Sequence, residues 1–523
     1  MTDLAWTDGA MLHDVLVRAA RATPTATGLV DGHRHFSFSE LDDRSRRAAA
    51  VVASATEPGG RVAFLGENHW SWVDAYTAVP RSGRVLVFGN LRLAPAELRS
   101  VLTRSGASMV VGPRAELDRI GAAAVAGVTC TLDLDEWETA LAASDPGASG
   151  PARGSADGSA PAWILFTSGT TGRSKGAVLS HGNVLAAVRA TDRWRRVAPD
   201  DVYLLPFPLS HIAGYNVLHH HAFGRPVVLV PRFEPTTFVR AVADHGVTAA
   251  SLAATMLHAL LAHLEVDSEA RSALSSLRLV AYGAAPMPTP LLERARALLG
   301  VDFTQGFGMT ELAGNAVFLD VAAHRRGLAG DRARLSAAGQ PGAGVELRLA
   351  DDDDRDVPVG SVGEILVRGP QVMLGYWDEP EATAEALRGG WLHTGDLGRL
   401  DDEGCLVVVD RKKDVIVTGG ENVSSLEVEQ ALVRVPGVSE VAVVGVPDER
   451  WGENVCAVVV VSPGATVDPE ALVAAARIDL AGYKTPRHVV FVDSLPKNTT
   501  GKVVKAEIRA MLRADPSVLG ERR

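Results

Sequence analysis

The chain has 523 residues, a length that suits about three domains, and 46% of its residues are hydrophobic, as in globular proteins. Its net charge of −11 at pH 7 excludes an overall basic surface for nucleic acid. Three scattered cysteines exclude a disulfide framework, so we expect a reducing, cytoplasmic compartment. We expect no secretory signal at the amino-terminus and no transmembrane helix, because no apolar run reaches the ~18 residues that such a helix needs.

The amino-terminal part of the chain alternates helical and strand patterns. Residues 37–55 predict an amphipathic helix capped by Ser39, because acidic residues follow in the first turn. Residues 61–68 and 107–113 are short apolar runs bounded by glycine or proline, which predict buried strands, and a helix is predicted between them at 94–106. This alternation predicts an α/β fold with layers around a largely parallel sheet.

A stretch rich in glycine, serine and proline at 144–161 predicts a surface connection, after which the alternation resumes. The further predicted elements are a strand at 162–166, helices near 236–245 and 254–264, and a strand at 277–283. The three consecutive histidines at 219–221 are expected to be structural or incidental, because one element does not direct three successive side chains at one metal.

Two later changes of pattern predict the domain organisation. A glycine-punctuated segment with an acidic turn at 351–356 predicts a small β-subdomain over about 326–410. Beyond it, helices and strands alternate compactly over the last ~110 residues, which suits a small α+β domain. We therefore predict a large amino-terminal domain at 1–410 and a small carboxy-terminal domain at 411–523.

Lysine is rare in this chain. Only seven lysines occur, and the first 411 residues contain one, Lys175. Since arginine supplies nearly every other cation, a lysine indicates a position that needs a compact charge on a flexible stem. Lys175 and Lys502 both lie in loops rich in glycine and threonine, which favours a function for them, whereas composition bias is the alternative for most of the others.

The densest polar loop, TSGTTGRSKG at 167–176, follows an apolar strand directly. Its glycines allow backbone N–H groups to approach an anion, its hydroxyls add donors and Lys175 adds a positive charge. These features predict a polyphosphate cradle rather than a plain surface loop. The loop does not match the Walker pattern, because Gly176 follows the lysine where that pattern has serine or threonine.

Three further loops carry groups that suit a nucleotide. QGFGMTE at 305–311 offers an aromatic face, a hydroxyl and the carboxylate of Glu311, which could hold Mg²⁺ together with phosphate oxygens. GWLHTGDLG at 390–398 sets Asp396 between glycines, where its carboxylate could accept hydrogen bonds from a ribose. LPKNTTGK at 495–502 ends in Lys502 beside the last predicted helix.

Seven motifs in this order resemble the adenylate-forming superfamily, which comprises acyl- and aryl-CoA ligases, adenylation domains and beetle luciferases. The motifs are TSGTTGRSKG, PFPLSHIAG, YGAAP, QGFGMTE, GWLHTGDLG, DRKKDVIVTGGEN and LPKNTTGK. The resemblance covers about residues 25 to 510. It implies a large amino-terminal domain of α/β layers and a small mobile carboxy-terminal α+β domain, with the active site between them.

The resemblance implies a role for each matching residue toward ATP and Mg²⁺. The phosphate loop would comprise Thr167, Ser168, Gly169, Thr170, Thr171, Gly172 and Lys175. Adenine would lie against Gly283, Ala284, Ala285 and Phe307, and the ribose against Asp396 and Arg411. Thr310 would contact the α-phosphate, and Mg²⁺ would be held by Glu311 and Thr167.

The resemblance also implies how the small domain acts. Lys502 would be the catalytic lysine of the first half-reaction, and Lys413 would be the hinge of a domain rotation. Gly419 and Gly420 would lie near the path of the thiol of coenzyme A. The sequence departs from the family pattern at two places here. Val417 and Thr418 precede the glycine pair where the family often has a basic residue. Ser424 and Ser425 replace a frequent Tyr-Pro. No departure removes a charged catalytic group, so an active enzyme is expected.

The acyl pocket is predicted to be apolar, and fatty and aryl acids both fit it. Its implied residues are His211, Ile212, Tyr215, Gly306, Gly308 and Ala313. Amino acids are disfavoured as substrates because the segment 207–211 holds no acidic residue for an ammonium group. Dicarboxylates are disfavoured because they would need an arginine in the pocket, and Gly306 occupies the position where it could lie. His211 is more consistent with a wall of the pocket than with acid–base chemistry, although it is also a catalytic candidate.

The resemblance implies an enzyme that activates a carboxylic acid as acyl-AMP and passes it to coenzyme A. The alternative acceptors are the thiol of a carrier protein, an amine or another nitrogen nucleophile. A non-catalytic nucleotide-binding protein is a third reading, and the presence of Lys175, Glu311, Asp396 and Lys502 argues against it. A light-emitting oxygenase rests on the shared fold alone.

Overall fold

The structure, a computed structural model, describes residues 9–145, 157–167, 174–283, 287–498 and 502–519. The chain divides into two compact units. The first comprises Met1–Leu347 with Val367–Leu392, and the second comprises Arg348–Leu366 with His393–Arg523. This division does not test the predicted domain boundary at 410–411, which stays a prediction.

The elements below are given in chain order. The helices are α1 Asp14–Ala22, α2 Phe38–Ala55, α3 Trp70–Arg81, α4 Pro95–Ser105, α5 Arg114–Ile120, α6 Leu134–Ala143, α7 His181–Trp194, α8 Tyr215–Ala222, α9 Pro235–His245, α10 Ala254–Val266, α11 Ser268–Ala273, α12 Thr289–Leu299, α13 Val321–Leu328, α14 Pro380–Ala386, α15 Ser425–Leu432, α16 Pro469–Asp479 and α17 Lys505–Ala514. The strands are β1 Thr27–Asp31, β2 Arg34–Ser37, β3 Arg61–Leu65, β4 Val85–Gly89, β5 Ala107–Val111, β6 Cys130–Leu132, β7 Pro161–Thr167, β8 Lys175–Ser180, β9 Tyr203–Leu205, β10 Val227–Leu229, β11 Ala249–Ser251, β12 Leu279–Gly283, β13 Asp302–Met309, β14 Gly314–Leu319, β15 Gln340–Pro341, β16 Glu346–Ala350, β17 Gly363–Arg368, β18 Gly375–Tyr376, β19 Leu392–Leu400, β20 Leu406–Arg411, β21 Ile416–Thr418, β22 Glu421–Val423, β23 Val438–Asp448, β24 Gly452–Val461 and β25 His488–Phe491.

Two large sheets organise the first unit. One has the strand order β15-β14-β13-β12-β11-β9-β10-β1-β2, and the other has the order β18-β8-β7-β4-β3-β5-β6. The central pairs of both sheets are parallel, for example β12 with β13 and β3 with β4. The predicted α/β layering around largely parallel sheets is confirmed. Antiparallel strands, such as β8 beside β7, occur toward the edges.

The first long helix shows a local correction to the sequence prediction. Helix α2 begins at Phe38, and Ser37 rather than Ser39 is its N-cap. The Ser37 hydroxyl accepts from the Glu40 N–H, and the Glu40 carboxylate accepts from the Ser37 N–H at 2.7 Å. The prediction of a Ser39 cap was wrong because this reciprocal serine–glutamate box satisfies two backbone donors at once.

The β structure predicted from about residue 326 begins later in the chain. Residues Val321–Leu328 and Arg332–Ser336 are helical, and strand pairing resumes at Gln340. The Asp320 side chain accepts from the Ala323 N–H at 2.8 Å, which caps α13. Strands β16, β17, β19 and β20 then form a four-stranded sheet.

The valine-rich strands of the second unit are buried on both faces. Along β23 and β24, Val443 and Val455 pack into one apolar cluster with α15 and α16, whereas Val444 and Val458 pack into another with α17. Successive residues of a strand point to opposite faces, so burial of both faces explains the unbroken apolar run at 455–461.

Among the described residues, no helix has both the length and the apolar character needed to cross a bilayer.

Candidate functional site

The hairpin of β7 and β8 sets two predicted phosphate-loop residues opposite each other. Thr167 ends β7 and pairs in register with Lys175, the first residue of β8. The connecting residues Ser168, Gly169, Thr170, Thr171 and Gly172 lie outside the described residues, as do Ala284 and Ala285 of the predicted adenine site. The predicted cradle is therefore described at its two ends, which are joined by antiparallel pairing.

The Glu311 carboxylate lies in a cluster of hydroxyl groups. Glu311 is buried, and its Oε1 accepts from the Tyr376 hydroxyl at 3.0 Å. The Thr167 hydroxyl lies 3.4 Å from the same oxygen. The Met373 N–H donates to the Glu311 carbonyl at 2.9 Å, which anchors the backbone beside it. This arrangement brings together the two residues predicted to hold Mg²⁺, Glu311 and Thr167.

Tyr376 also lies beside the predicted phosphate lysine. The Lys175 Nζ is 5.1 Å from the centroid of the Tyr376 ring, within the range of a cation–π contact. Burial and the neighbouring Glu311 carboxylate raise the pKa of the Tyr376 phenol, so the phenol keeps its proton and donates to Glu311. Sequence reasoning missed Tyr376, because its pairing on β18 beside β8 is long-range and LGYW carries no chemical pattern.

The predicted adenine and acyl residues lie at the ends of two neighbouring strands. Gly283 ends β12 and pairs with Gly306 on β13, and Phe307 and Gly308 follow on β13. A Cβ on Gly283 would lie 2.5 Å from the Gly306 carbonyl oxygen, which explains the need for glycine there. Ligands of α/β sheets bind beyond the carboxyl ends of the strands, where these residues lie.

The segment after β13 turns sharply at the predicted phosphate contact. Thr310 opens a short 3₁₀ turn that ends at Leu312. Ala313 then has a φ of 53°, an uncommon conformation for a residue with a Cβ. The turn follows the end of β13 directly, and the Ala313 N–H donates to the Thr310 carbonyl at 2.9 Å just before β14 begins.

The surroundings of His211 favour its neutral form. Burial, with a smaller contribution from the Arg92 charge, lowers the pKa of its imidazole to about 4. Its Nε2 lies 3.5 Å from the Asn90 Nδ2, and its backbone leads into the short turn Ile212–Gly214. A neutral ring suits a wall of the pocket better than a charged acid catalyst, and its role stays a prediction.

The predicted pocket residue Tyr215 has a polar neighbour that sequence reasoning missed. The Tyr215 side chain is buried, and its hydroxyl accepts from the Asn315 Nδ2 at 3.1 Å. Asn315 also lies over Gly306, where an added Cβ would be 2.3 Å from that Nδ2. An amide therefore lies among the glycines and the aromatic ring that are predicted to form the pocket, and the apolar character of the pocket stays a prediction.

The second unit joins three predicted nucleotide residues. Asp396 on β19 pairs in register with Arg411 on β20, and the Arg411 Nε lies 3.0 Å from the Asp396 Oδ1. Burial raises the pKa of the Asp396 carboxyl, while the Arg411 and Lys502 charges oppose that rise. Asp396, Arg411 and Lys502 therefore interact electrostatically within the second unit, and their roles toward ribose and α-phosphate stay predictions.

The backbone of Lys502 is held by the loop that precedes it. The Lys502 N–H donates to the Asn498 side-chain oxygen at 2.9 Å, and the Asn498 N–H donates to the Lys502 carbonyl at 2.8 Å. Lys502 is exposed. Even so, desolvation of the ammonium group and the nearby Arg411 charge lower its pKa to about 8.

The pKa of Lys502 predicts how adenylation depends on pH. A lysine that assists as an ammonium cation loses this role once it is deprotonated, so acyl-AMP formation should fall as the pH rises through about 8, by up to tenfold per pH unit. We expect this fall in single-turnover pyrophosphate release measured without coenzyme A. The residual rate of Lys502→Ala should lack it, and a fall of equal steepness in that variant would contradict the assignment.

The predicted hinge and thiol path lie on the strand connections after β20. Lys413 is exposed as a residue. Partial desolvation of its ammonium group lowers the pKa of that group, and the positive charge of Arg411 lowers it further. Gly419 and Gly420 have φ values of 61° and 87°, and a Cβ on Gly419 would lie 2.8 Å from the Trp451 ring. The turn therefore requires glycine at 419 for steric reasons, beside any role toward a thiol.

The histidine run at 219–221 is structural, as predicted. His219 and His221 are buried, and the His221 Nε2 donates to the Gly28 carbonyl at 2.8 Å. The His220 ring stacks on Tyr203 with centroids 3.9 Å apart. Across the described ranges, no three His, Cys, Asp or Glu side chains are grouped as metal ligands.

Comparison with known proteins fixes the family. Residues 16–377 match the AMP-binding enzyme family, and residues 427–502 match the AMP-binding enzyme C-terminal domain. The chain belongs to the AMP-binding enzyme family. The adenylate-forming resemblance drawn from the motifs is confirmed, together with the mixed α/β fold.

Three relatives bear on the activity. The chain is 40% identical over 500 residues to a feruloyl-CoA synthase of Amycolatopsis sp, with 94% of this chain and 97% of the relative covered. It is 35% identical to the fatty acid–[acyl-carrier-protein] ligase ScoC of Streptomyces coeruleorubidus, with 94% of each chain covered. The structure of the amide bond synthetase McbA of Marinactinospora thermotolerans matches with a TM-score of 0.86 and 33% identity, covering 96% of this chain and 99% of McbA. The chain is an AMP-forming ligase, and the feruloyl-CoA synthase, which has the highest identity of these three, supports acid–CoA ligation.

Proposed function

We propose that this enzyme converts a largely apolar carboxylic acid into its acyl-AMP at the expense of ATP and then transfers the acyl group to coenzyme A. The observation that carries the proposal is the grouping of Lys502 with Asp396 and Arg411 in the second unit. These are one catalytic and two ribose residues in the assignment drawn from the motifs. Further support comes from the buried Glu311 among the Thr167 and Tyr376 hydroxyls in the first unit.

The first half-reaction overcomes the poor reactivity of a carboxylate. A carboxylate oxygen attacks the α-phosphorus of ATP, the bond to the β-phosphate oxygen breaks and pyrophosphate leaves. Negative charge builds on the phosphate oxygens, so catalysis requires positioning and electrostatic stabilisation. Lys502 would bridge the carboxylate and the α-phosphate, Thr310 would donate to the α-phosphate, and Lys175 would neutralise the departing phosphates.

The residues around Glu311 fit a magnesium ion. Mg²⁺ prefers oxygen ligands and commonly takes one or two carboxylates with phosphate oxygens. Glu311 is buried, accepts one hydrogen bond from Tyr376 and has the Thr167 hydroxyl nearby, so a hard-oxygen donor set faces the end of β13. When bound, the ion would neutralise charge on the phosphates. Tyr376 would hold the Glu311 carboxylate in one orientation.

Transfer of the acyl group requires that Lys502 leave the active site so that a thiol can enter. After pyrophosphate leaves, the positive charge of Lys502 no longer assists, and rotation about Lys413 would withdraw it. The thiol would then attack the acyl carbon and AMP would leave. Such a rotation gates the second step without changing its chemistry. Gly419 and Gly420, which the motif places near the thiol, have the left-handed backbone that a tight turn needs.

A second acceptor is favoured by one local feature. Val417 lies where the family often has a basic residue, and 49% of the residue is exposed. An apolar side chain at this position offers the phosphates of coenzyme A no cationic partner, which matters less for a carrier-bound thiol or an amine. ScoC and McbA, whose names specify a carrier protein and an amide product, make these acceptors concrete alternatives.

Pyrophosphate release across a panel of acids tests the proposal. Short, medium, long-chain and aryl acids are each assayed with ATP and Mg²⁺, with and without coenzyme A. We expect an apolar acid to release pyrophosphate and a thioester to form when coenzyme A is present. Pyrophosphate release without any thioester would favour the second acceptor. The absence of acid-dependent pyrophosphate release would contradict the proposed function.

A further inference from the structure

Asn315 is the polar side chain that the predicted acyl pocket contains unexpectedly. It lies near the start of β14, opposite Gly308 on β13. The glycines of both neighbouring strands make room for it: a Cβ on Gly306 would lie 2.3 Å from its Nδ2, and a Cβ on Gly283 would lie 3.8 Å from its Oδ1. Its amide therefore lies across the ends of β12 and β13.

A chain of hydrogen bonds sets the orientation of this amide. The buried Thr191 hydroxyl donates to the Ala187 carbonyl at 2.8 Å, so its hydrogen is committed within α7. The Tyr215 hydroxyl, 3.0 Å from the Thr191 hydroxyl, must then donate to it. The Tyr215 oxygen is left as an acceptor, which requires an N–H donor from Asn315.

The consequence is that the amide oxygen, which lies toward Gly283 at the end of β12, remains available as an acceptor. With Nδ2 directed at Tyr215, the Asn315 Oδ1 accepts no hydrogen bond from any residue that the structure describes. The backbone is fixed separately, because the buried Gln371 side chain donates to the Asn315 carbonyl at 3.1 Å. An oriented amide oxygen with no hydrogen-bond donor among the described residues suits a ligand that brings its own donor.

We propose that the Asn315 Oδ1 accepts a hydrogen bond from a hydroxyl or N–H substituent of the acid, and that this selects substituted acids over plain hydrocarbon ones. This inference rests on the proposed function and names the substrate class within it: an apolar acid with one hydrogen-bond donor on its body. A site built to pair with such a donor rejects an analogue without it, because the oxygen is then left unpaired and desolvated.

Matched pairs of acids test this inference. Cinnamic acid and its 2-, 3- and 4-hydroxy isomers differ only in the presence and position of one hydroxyl. We measure kcat/KM for pyrophosphate release with each acid. The wild-type enzyme should prefer at least one hydroxy isomer to cinnamic acid by about tenfold, the value of one well-formed hydrogen bond.

Three variants separate the hydrogen bond from general disruption of the pocket. Asn315→Leu keeps the size but removes the acceptor, so the preference ratio should fall to about one. Asn315→Asp keeps an acceptor oxygen, so the ratio should persist although the overall rate falls. Tyr215→Phe removes the partner that orients the amide, so the ratio should fall by about threefold. Because each result is a ratio within one variant, partial loss of folded protein does not change it.

Each outcome decides between the two proposals. A preference that collapses in Asn315→Leu and persists in Asn315→Asp supports the inference. Equal use of cinnamic acid and all its hydroxy isomers, or release of pyrophosphate with unsubstituted fatty acids alone, overturns it while the proposed function stands. A preference that survives Asn315→Leu also overturns it. If no acid releases pyrophosphate, the proposed function fails and this inference falls with it.

Discussion

Lys502→Ala is expected to lower acyl-AMP formation by about 10²–10³-fold while thiolysis of supplied acyl-AMP stays largely intact. The physical reason is that the ammonium group bridges the carboxylate and the α-phosphate only while the phosphorus is attacked. The charge of Lys502 interacts with the charges of Asp396 and Arg411, the two residues predicted to bind the ribose. Pyrophosphate release from ATP and thioester formation from synthetic acyl-AMP measure the two half-reactions separately.

Lys497→Ala is the matched control for this prediction. Lys497 lies in the same loop and forms a β-bridge with Val503, but its Nζ is paired with Glu440 at 2.7 Å. Such surface pairs contribute about 0–1 kcal/mol, so its loss should change neither half-reaction by more than about threefold. An equal loss of both half-reactions in Lys502→Ala, or an equal loss of adenylation in Lys497→Ala, would contradict the role of Lys502.

Much of the fold could be predicted because its signals are local. The strand at 61–65 and the helix at 95–105 follow from apolar runs and bounding glycines. Where prediction failed, two local signals competed. Ser37 and Ser39 both precede acidic residues, but the box that Ser37 forms with Glu40 satisfies donors on both residues.

The chemical residues of the site could be predicted from motifs, but their supporting contacts could not. Glu311 in its 3₁₀ turn and Asp396 on β19 belong to glycine-bounded motifs whose residue types indicate phosphate and ribose chemistry. Tyr376 reaches Glu311 from 65 positions along the chain, and Tyr215 reaches Asn315 from 100 positions away. These contacts depend on the pairing of β18 with β8 and on the packing of α8, which no local pattern encodes. The orientation of the Asn315 amide further depends on a hydroxyl chain through Thr191.

Glu311→Gln is expected to lower the rate of pyrophosphate release by about 10²-fold at low millimolar Mg²⁺, and raising the Mg²⁺ concentration should recover part of the loss. The glutamine keeps the size and one oxygen, but it removes the negative charge that favours a divalent cation. Thiolysis of supplied acyl-AMP involves no pyrophosphate departure and should change much less. The measurement is the Mg²⁺ dependence of pyrophosphate release for the wild type and the variant.

Tyr376→Phe separates the charge of Glu311 from its orientation. The Tyr376 hydroxyl donates to Glu311 at 3.0 Å, and removing a partner that orients a metal-binding carboxylate typically costs about 10–100-fold. We expect a smaller loss than in Glu311→Gln, in the same half-reaction and with the same recovery at high Mg²⁺. Glu138→Gln alters a carboxylate of the first unit that is paired with Arg44 at 2.6 Å, and it should leave the Mg²⁺ dependence unchanged. If Glu311→Gln and Glu138→Gln lose activity equally and neither responds to Mg²⁺, the loss reflects destabilisation of the first unit, and Glu311 does not hold the ion.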